Sequence, residues 1–192
     1  MILYLHGFRS SPQSAKARMV RDAMQARGRA SRLICPQLPP SPQKAMQLVQ
    51  ALVAEVPADS LAVIGSSLGG YYATALAEAT GCRAVLLNPA VHPARGLVDQ
   101  VGWQTAWHSE DQFEFLPEYL EELMALDVAH ITQPARYFLV AATGDEVLDW
   151  RDMVAHYPGA RQRVIEGSDH GLSDFADVLD EVLAFCGEHR DD

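Results

Sequence analysis

The sequence predicts an α/β fold in which a mostly parallel sheet of about six strands is flanked by helices. Two observations indicate it. Short apolar runs alternate with longer segments of helical periodicity along most of the chain, which is typical of βαβ units. A glycine-flanked serine at position 67 stands between one such run and the helical segment that follows it. Reactive groups of such folds lie at the carboxyl ends of the strands.

The strands are predicted from short runs rich in apolar residues, as expected where both faces of a sheet are covered. They are Ile2 to His6, Ala30 to Cys35, Leu61 to Gly65, Ala84 to Asn88, Tyr137 to Ala142 and Arg163 to Glu166. Helices are predicted where apolar residues recur with i, i+3, i+4 spacing. They are Ala15 to Arg27, Pro42 to Val56, Leu68 to Ala79, and a last helix from an N-cap at about Ser173 to about Gly187.

The segment from about 91 to 132 departs from this alternation. It is rich in aromatic residues but shows no clear strand, so we interpret it as an inserted helical cap. Because no linker composition or internal repeat divides the chain, we predict a single domain over residues 1–192.

Composition and charge exclude several classes of protein. The chain has 25 acidic and 15 basic side chains, a formal charge of −10, and no basic patch, so we expect neither nucleic-acid nor membrane partners. No run approaches the roughly 20 apolar residues of a membrane helix. Three scattered cysteines and the lack of a basic or long apolar leader predict a cytoplasmic protein. The sequence leaves the oligomeric state open.

The serine motif has the form G-x-S-x-G, as Gly65-Ser66-Ser67-Leu68-Gly69. Between a strand and a helix this motif predicts a nucleophile elbow, a tight turn that presents the serine side chain to substrate. Small residues two positions before and after the serine avoid clashes in that turn. The sequence therefore predicts Ser67 as the nucleophile of an α/β-hydrolase fold.

A serine nucleophile needs an imidazole base and a carboxylate that orients the imidazole. His170 lies between the last strand and the last helix, and Asp145 follows the preceding strand, so the chain order is Ser, Asp, His. Asp149 and Glu146 remain alternatives for the acid, whereas Asp169 is better explained as a turn residue. No His-x-x-x-His or Cys-x-x-Cys pair predicts a metal site, and no cofactor is expected.

The oxyanion formed during acyl transfer needs two backbone donors, one after the nucleophile and one after the first strand. Leu68 and Phe8 occupy these positions, and His6 is expected to be structural. The side chains that we expect around the substrate pocket are Arg9, Trp103, Trp107 and Phe113.

With these residues identified, the chain resembles the YqiA-type esterases, a compact bacterial branch of the α/β-hydrolases. The resemblance rests on the blocks Tyr4 to Phe8, Gly65 to Tyr72, Leu87 to Ala90, Thr143 to Asp149 and Asp169 to Gly171, and it runs nearly end to end. It implies cofactor-free hydrolysis of carboxylic esters or thioesters, with Ser67, Asp145 and His170 as the catalytic residues. It also favours Asp145 over Asp149.

The leading hypothesis is a serine esterase that forms an acyl-enzyme on Ser67. Thioester substrates such as acyl-CoA use the same residues, so the sequence leaves ester and thioester open. One alternative is a binding protein that retains the fold without catalysis, since a fold does not imply a function. Another is a peptidase or cofactor-free haloperoxidase that uses the same triad. The substrate and acyl-chain length are likewise left open.

Overall fold

The computed structural model describes residues 1–107 and 109–189. The last residues of the predicted domain, 190–192, lie outside the described residues, as does position 108. Among the described residues, no helix is long and apolar enough to cross a membrane.

A parallel sheet forms the centre of the molecule. Within the described residues its strands are β1 Ile2–Leu5, β2 Leu33–Ile34, β3 Ala62–Ser66, β4 Arg83–Leu87, β7 Tyr137–Ala142 and β8 Arg161–Ile165. They lie in the order β2-β1-β3-β4-β7-β8, and every neighbouring pair is parallel. The predicted fold class is thereby confirmed in its central feature.

Helices cover both faces of the sheet. The described helices are α1 Ala15–Ala26, α2 Pro42–Val53, α3 Leu68–Thr80, α4 Pro93–Gly96, α5 Glu118–Met124, α6 Trp150–His156 and α7 Ala176–Phe185, with short 3₁₀ turns at Ala30–Arg32, Ala58–Ser60, Val98–Gln100 and Pro134–Arg136. Apolar residues alternate between two clusters along each central strand: Leu3, Val63 and Leu139 face α2, α3 and α6, whereas Ile2, Ile64 and Val140 face α1 and α7. This two-sided burial explains the nearly continuous apolar runs.

Several predicted boundaries differ from the structure, among them those of β2 and of the last helix. The strand predicted from Ala30 to Cys35 is shorter in the structure, where β2 consists of Leu33 and Ile34. Only these two residues of this edge strand pair with β1. The last helix begins at Ala176 rather than after Ser173. Instead, the Ser173 N–H and hydroxyl donate to the Asp169 carboxylate at 2.9 and 2.5 Å, which closes a turn before the helix.

The interpretation of residues 91–132 as a helical cap is wrong in one respect. The segment contains α4 and α5, but between them β5 Gly102–Thr105 and β6 Gln112–Phe115 form a two-stranded antiparallel hairpin. Phe115 is buried while Glu114 and Gln112 of the same strand are exposed. These strands are four residues long, so their alternation is too short to be recognised in the sequence.

The strand order places four loops together at the carboxyl edge of the sheet. β2 and β3 lie on opposite sides of β1 in the sheet. The chain connections after β1 and after β3 therefore run in opposite directions across the sheet, which makes this place a topological switch point. The loop after β7 and the loop after β8 reach the same edge. This topology brings position 67 close to positions 145 and 170.

Candidate active site

Ser67 occupies a strained turn between β3 and α3. Its φ and ψ are 54° and −121°, a backbone conformation that residues with side chains rarely adopt. The helix begins at the next residue, so the serine side chain stands beside the amino terminus of α3. This is the geometry expected of a nucleophile elbow.

The motif glycines are required by close backbone contacts. A Cβ atom on Gly69 would lie 2.0 Å from the carbonyl oxygen of Leu5, and one on Gly65 would lie 2.3 Å from that of Gly69. Both atoms belong to backbone that is fixed in the sheet and helix. The close approach of α3 to β1 therefore depends on Gly69, and its close approach to β3 depends on Gly65.

We expect Gly69→Ala to destabilise the fold severely, because its methyl group would overlap the Leu5 carbonyl. Overpacking typically costs about 1–3 kcal/mol, and an immovable backbone atom places this variant at or beyond the upper end. Gly96→Ala is the matched control, since a Cβ there meets no atom within 4 Å. Urea unfolding should separate the two variants; similar midpoints would contradict the packing argument.

Ser67, His170 and Asp145 form a continuous chain of hydrogen bonds. The Nε2 atom of His170 lies 3.0 Å from Ser67 Oγ, and its Nδ1 atom lies 2.8 Å from Asp145 Oδ2. The His170 side chain is 21% exposed and that of Asp145 is not exposed at all. His170 is therefore open to the cavity, while Asp145 lies behind it.

The surroundings of Asp145 keep its carboxyl group ionised. Burial favours a higher pKa, but the hydrogen bond from His170 and the N–H groups of Leu148 and Val147, each at 2.8 Å, outweigh it and lower the pKa of Asp145. A carboxylate can only accept, so the histidine proton resides on Nδ1. Nε2 is then left with a lone pair that faces the Ser67 hydroxyl, as a general base requires.

The other acidic candidates have different partners. Asp149 caps α6, where its Oδ1 accepts from the Arg151 N–H at 2.9 Å. Glu146 accepts from the backbone N–H of His170 at 3.0 Å, and Asp169 closes the turn at Ser173. Of these acids, Asp145 is therefore the one that contacts the imidazole ring.

The two predicted oxyanion donors lie beside the nucleophile. Phe8 and Leu68 line the cavity that contains Ser67, and a Cβ on Gly7 would lie 3.1 Å from the Cβ of Ser67. Leu68 is the first residue of α3, where N–H groups have no intrahelical partner. Among the described residues, neither N–H donates to another protein group. Both can therefore bind a substrate oxygen.

The way in which three polar residues hold the His170 loop was not predicted. Glu146 binds the His170 N–H, Lys16 Nζ donates to the carbonyl of Gly171 at 2.5 Å, and Asn88 contacts two further carbonyls. Burial lowers the pKa of the Lys16 ammonium to about 8. No spacing rule links such residues to the loop, because they lie up to 155 positions from it.

A cavity of about 560 Å³ opens beside Ser67. Its walls come from the loop after β4, α4, the end of the hairpin and the segment after Asp145. The apolar side chains that line it include Pro89, Val91, Pro93, Leu97, Val147, Leu148 and Met153. This volume is in the range of small-molecule sites, and the apolar lining suits a hydrocarbon group.

The predicted pocket residues divide into two groups. Arg9 and Trp107 line the cavity, with the Arg9 guanidinium 4.1 Å from the centre of the Trp107 ring. Trp103 does not line it: strand alternation turns this side chain outward, where it is 71% exposed. Phe113 packs edge-on against Phe8, with ring centroids 5.9 Å apart, and lines a separate groove.

The described residues contain no cluster of three or more His, Cys, Asp or Glu side chains placed to hold a metal ion. Cys35, Cys82 and Cys186 are free thiols.

Comparison with known proteins gives a family and a fold. The sequence matches the uncharacterised protein family UPF0227 over residues 1–187. Among solved structures, the chain resembles alpha/beta hydrolase domain-containing protein 10 from mouse (18% identity, TM-score 0.69, 97% of this chain and 86% of that chain covered). It also resembles Est1E from Butyrivibrio proteoclasticus with ferulic acid bound (15%, 0.70, 95% and 87%).

A third similar structure is reported for LipS and LipT, two metagenome-derived lipolytic enzymes (17% identity, TM-score 0.72, 98% of this chain and 93% of that chain covered). At these identities the likeness shows the fold alone, and it agrees with the predicted α/β-hydrolase architecture.

Proposed function

The chain belongs to the YqiA family, UPF0227, and on that premise we propose that it is a serine esterase that hydrolyses carboxylic esters or thioesters. The observation that carries the proposal is the hydrogen-bonded chain Ser67–His170–Asp145 at the edge of an apolar cavity. A nucleophile, a base and an oriented acid in this order are the groups that acyl transfer requires.

In the proposed mechanism, Ser67 Oγ attacks the ester carbonyl while His170 Nε2 takes the hydroxyl proton. The tetrahedral oxyanion accepts hydrogen bonds from the Phe8 and Leu68 N–H groups. As the C–O bond to the alcohol breaks, His170 returns the proton to the leaving alcohol, and an acyl-enzyme remains. Water then attacks the acyl carbon, with His170 again as base, and releases the acid and Ser67.

The cavity supports an apolar acyl group as the part of the substrate that is bound most strongly. Each buried methylene is worth about 0.8 kcal/mol, or about fourfold in affinity. Similar structures include lipolytic enzymes and a complex with ferulic acid, which agrees with ester substrates. The same walls accept the acyl group of a thioester such as acyl-CoA.

Turnover of a graded ester series tests this function. We expect kcat/KM for p-nitrophenyl esters to rise about fourfold per methylene from acetate to butyrate, and to level off once the acyl chain fills the cavity. A fluorophosphonate should label the protein once, on the peptide that contains Ser67. Release of thiol from butyryl-CoA, measured in parallel, would place thioesters within the substrate range.

Absence of both turnover and labelling would contradict the hydrolase and favour a binding protein with this fold. Labelling without ester turnover would instead direct the search to other acyl donors, amides included, that use the same residues.

A further inference from the structure

Asn88 is a buried polar residue that the proposed mechanism does not use. Its side chain has no exposed surface, and its backbone φ is 42°. Residues other than glycine seldom adopt positive φ, although asparagine tolerates it better than most. A strained conformation that is kept in the core indicates that this side chain meets a specific requirement.

The side-chain amide of Asn88 fixes the loop that carries the base. Its Nδ2 group donates to the carbonyl oxygens of Asp169 and His170, at 3.0 and 3.2 Å. The two amide protons thereby donate to the carbonyl groups of two consecutive residues in that loop. The backbone of the loop is thus held at His170 itself and at the residue before it.

The same amide also reaches the strand that leads to the acid. Asn88 Oδ1 accepts from the N–H of Ala142 at 2.8 Å, at the end of β7 and three residues before Asp145. One rigid planar group therefore connects the strand end before the acid with the loop of the base.

The backbone around Asn88 is bonded to the nucleophile as well. The Ser67 N–H donates to the carbonyl of Leu87 at 3.0 Å, and the Ala90 N–H donates to the carbonyl of Ser67 at 3.0 Å. The turn formed by residues 87–90 thus contacts the Ser67 turn through its backbone. Through the side chain of Asn88 it contacts the His170 loop and the end of β7, which leads to Asp145.

We propose that Asn88 is a positioning residue that sets His170 in register with both Ser67 and Asp145. The inference rests on the proposed function, because it assigns the residue to acyl transfer at that site. Asn88 contacts neither substrate nor reacting atoms; it acts through the backbone of the loop that carries the imidazole.

The expected effect is a reduction in rate rather than its loss. The acid and base loops are also joined directly, by the Gly144 N–H to the Gly167 carbonyl and by the Gly167 N–H to Thr143 Oγ1, both at 2.8 Å. These bonds should keep the loops near each other without Asn88. Since a misplacement of about 1 Å can lower a rate 10²-fold, we expect kcat to fall about 10- to 100-fold.

Two variants distinguish the hydrogen bonds that Asn88 donates from the one that it accepts. Asn88→Gly removes the side chain without backbone strain, because glycine accepts positive φ. Asn88→Asp keeps an acceptor for the Ala142 N–H but removes both donors to the His170 loop. Tyr157→Phe is the matched control: it breaks a buried hydrogen bond to Thr74 Oγ1, 2.9 Å long, outside the triad contacts described above.

The readouts are kcat and KM for p-nitrophenyl butyrate, the thermal midpoint, and the low-field ¹H resonance of the His170 Nδ1–H, assigned by its loss in His170→Ala. We expect both Asn88 variants to lose kcat with KM within about twofold, and to shift or broaden the resonance. Tyr157→Phe should lower the thermal midpoint while leaving kcat and the resonance unchanged.

An unchanged resonance in both Asn88 variants, or kcat within twofold of Tyr157→Phe, would overturn the positioning role. If the wild type hydrolyses no ester and takes no fluorophosphonate label, the proposed function fails instead. The resonance still decides the geometric inference in that case, because it reports the His170–Asp145 hydrogen bond without any substrate.

Discussion

Ser67→Ala is expected to lower kcat for p-nitrophenyl butyrate by about 10⁶-fold, the magnitude found when a serine protease loses its nucleophile. The reason is that no other hydroxyl in the described residues lies within hydrogen-bond reach of His170 Nε2. A residual rate above that in water should persist, because the Phe8 and Leu68 N–H groups can still stabilise an oxyanion. Stopped assays with high enzyme concentration would measure it.

Ser66→Ala is the matched control for this variant. Ser66 lies next to the nucleophile, at the end of β3, and it is buried. Because the hydrogen bonds that join Ser67, His170 and Asp145 do not involve Ser66, we expect turnover and fluorophosphonate labelling close to wild type. Equal activity of Ser67→Ala and wild type would exclude the acyl-enzyme mechanism.

Asp145→Asn is expected to lower kcat about 10³- to 10⁴-fold with little change in stability. The corresponding exchange in serine proteases lowers kcat about 10⁴-fold with the geometry intact, because the amide favours the wrong histidine tautomer. Here the Val147 and Leu148 N–H groups can still bind the amide oxygen, which leaves an NH₂ group facing His170 Nδ1. The ring proton would then move to Nε2, where it faces Ser67.

Asp149→Asn makes the opposite prediction and tests the assignment of the acid. Asparagine caps helices as well as aspartate does, so the bond from the Arg151 N–H to the side chain should persist. We expect kcat within about threefold of wild type, with any larger change confined to KM because Asp149 lines the cavity. A larger loss of kcat in Asp149→Asn than in Asp145→Asn would reverse the assignment.

The central part of this arrangement could be predicted from the sequence because it depends on local patterns. Ser67 follows an apolar strand and precedes a helix, and the glycines beside it are required by the close packing of α3. His170 and Asp145 come directly after strands whose carboxyl ends meet at one edge of the sheet. Parallel topology alone therefore predicts which loops meet.

The remaining features depend on contacts between distant parts of the chain. The hairpin around residues 102–115 is held by its pairing and by Phe115 packing against Phe8, with ring centroids 5.2 Å apart, which no local pattern reveals. The role inferred for Asn88 arises from partners 54 to 82 positions away. Helix α6 was missed for another reason: it is only seven residues long, and its start is marked only by the Asp149 cap.

Two residues in the segment after Asp145 use their backbone and their side chain for different purposes. Val147 and Leu148 hold the acid through their backbone N–H groups, while both residues also line the cavity. If the proposed function holds, a point mutation at either position can reshape the acyl site and leave both hydrogen bonds to Asp145 in place. In evolutionary terms, substrate range can diverge in small steps while the reaction is retained. Homologues with the same catalytic residues should accordingly accept different acyl groups.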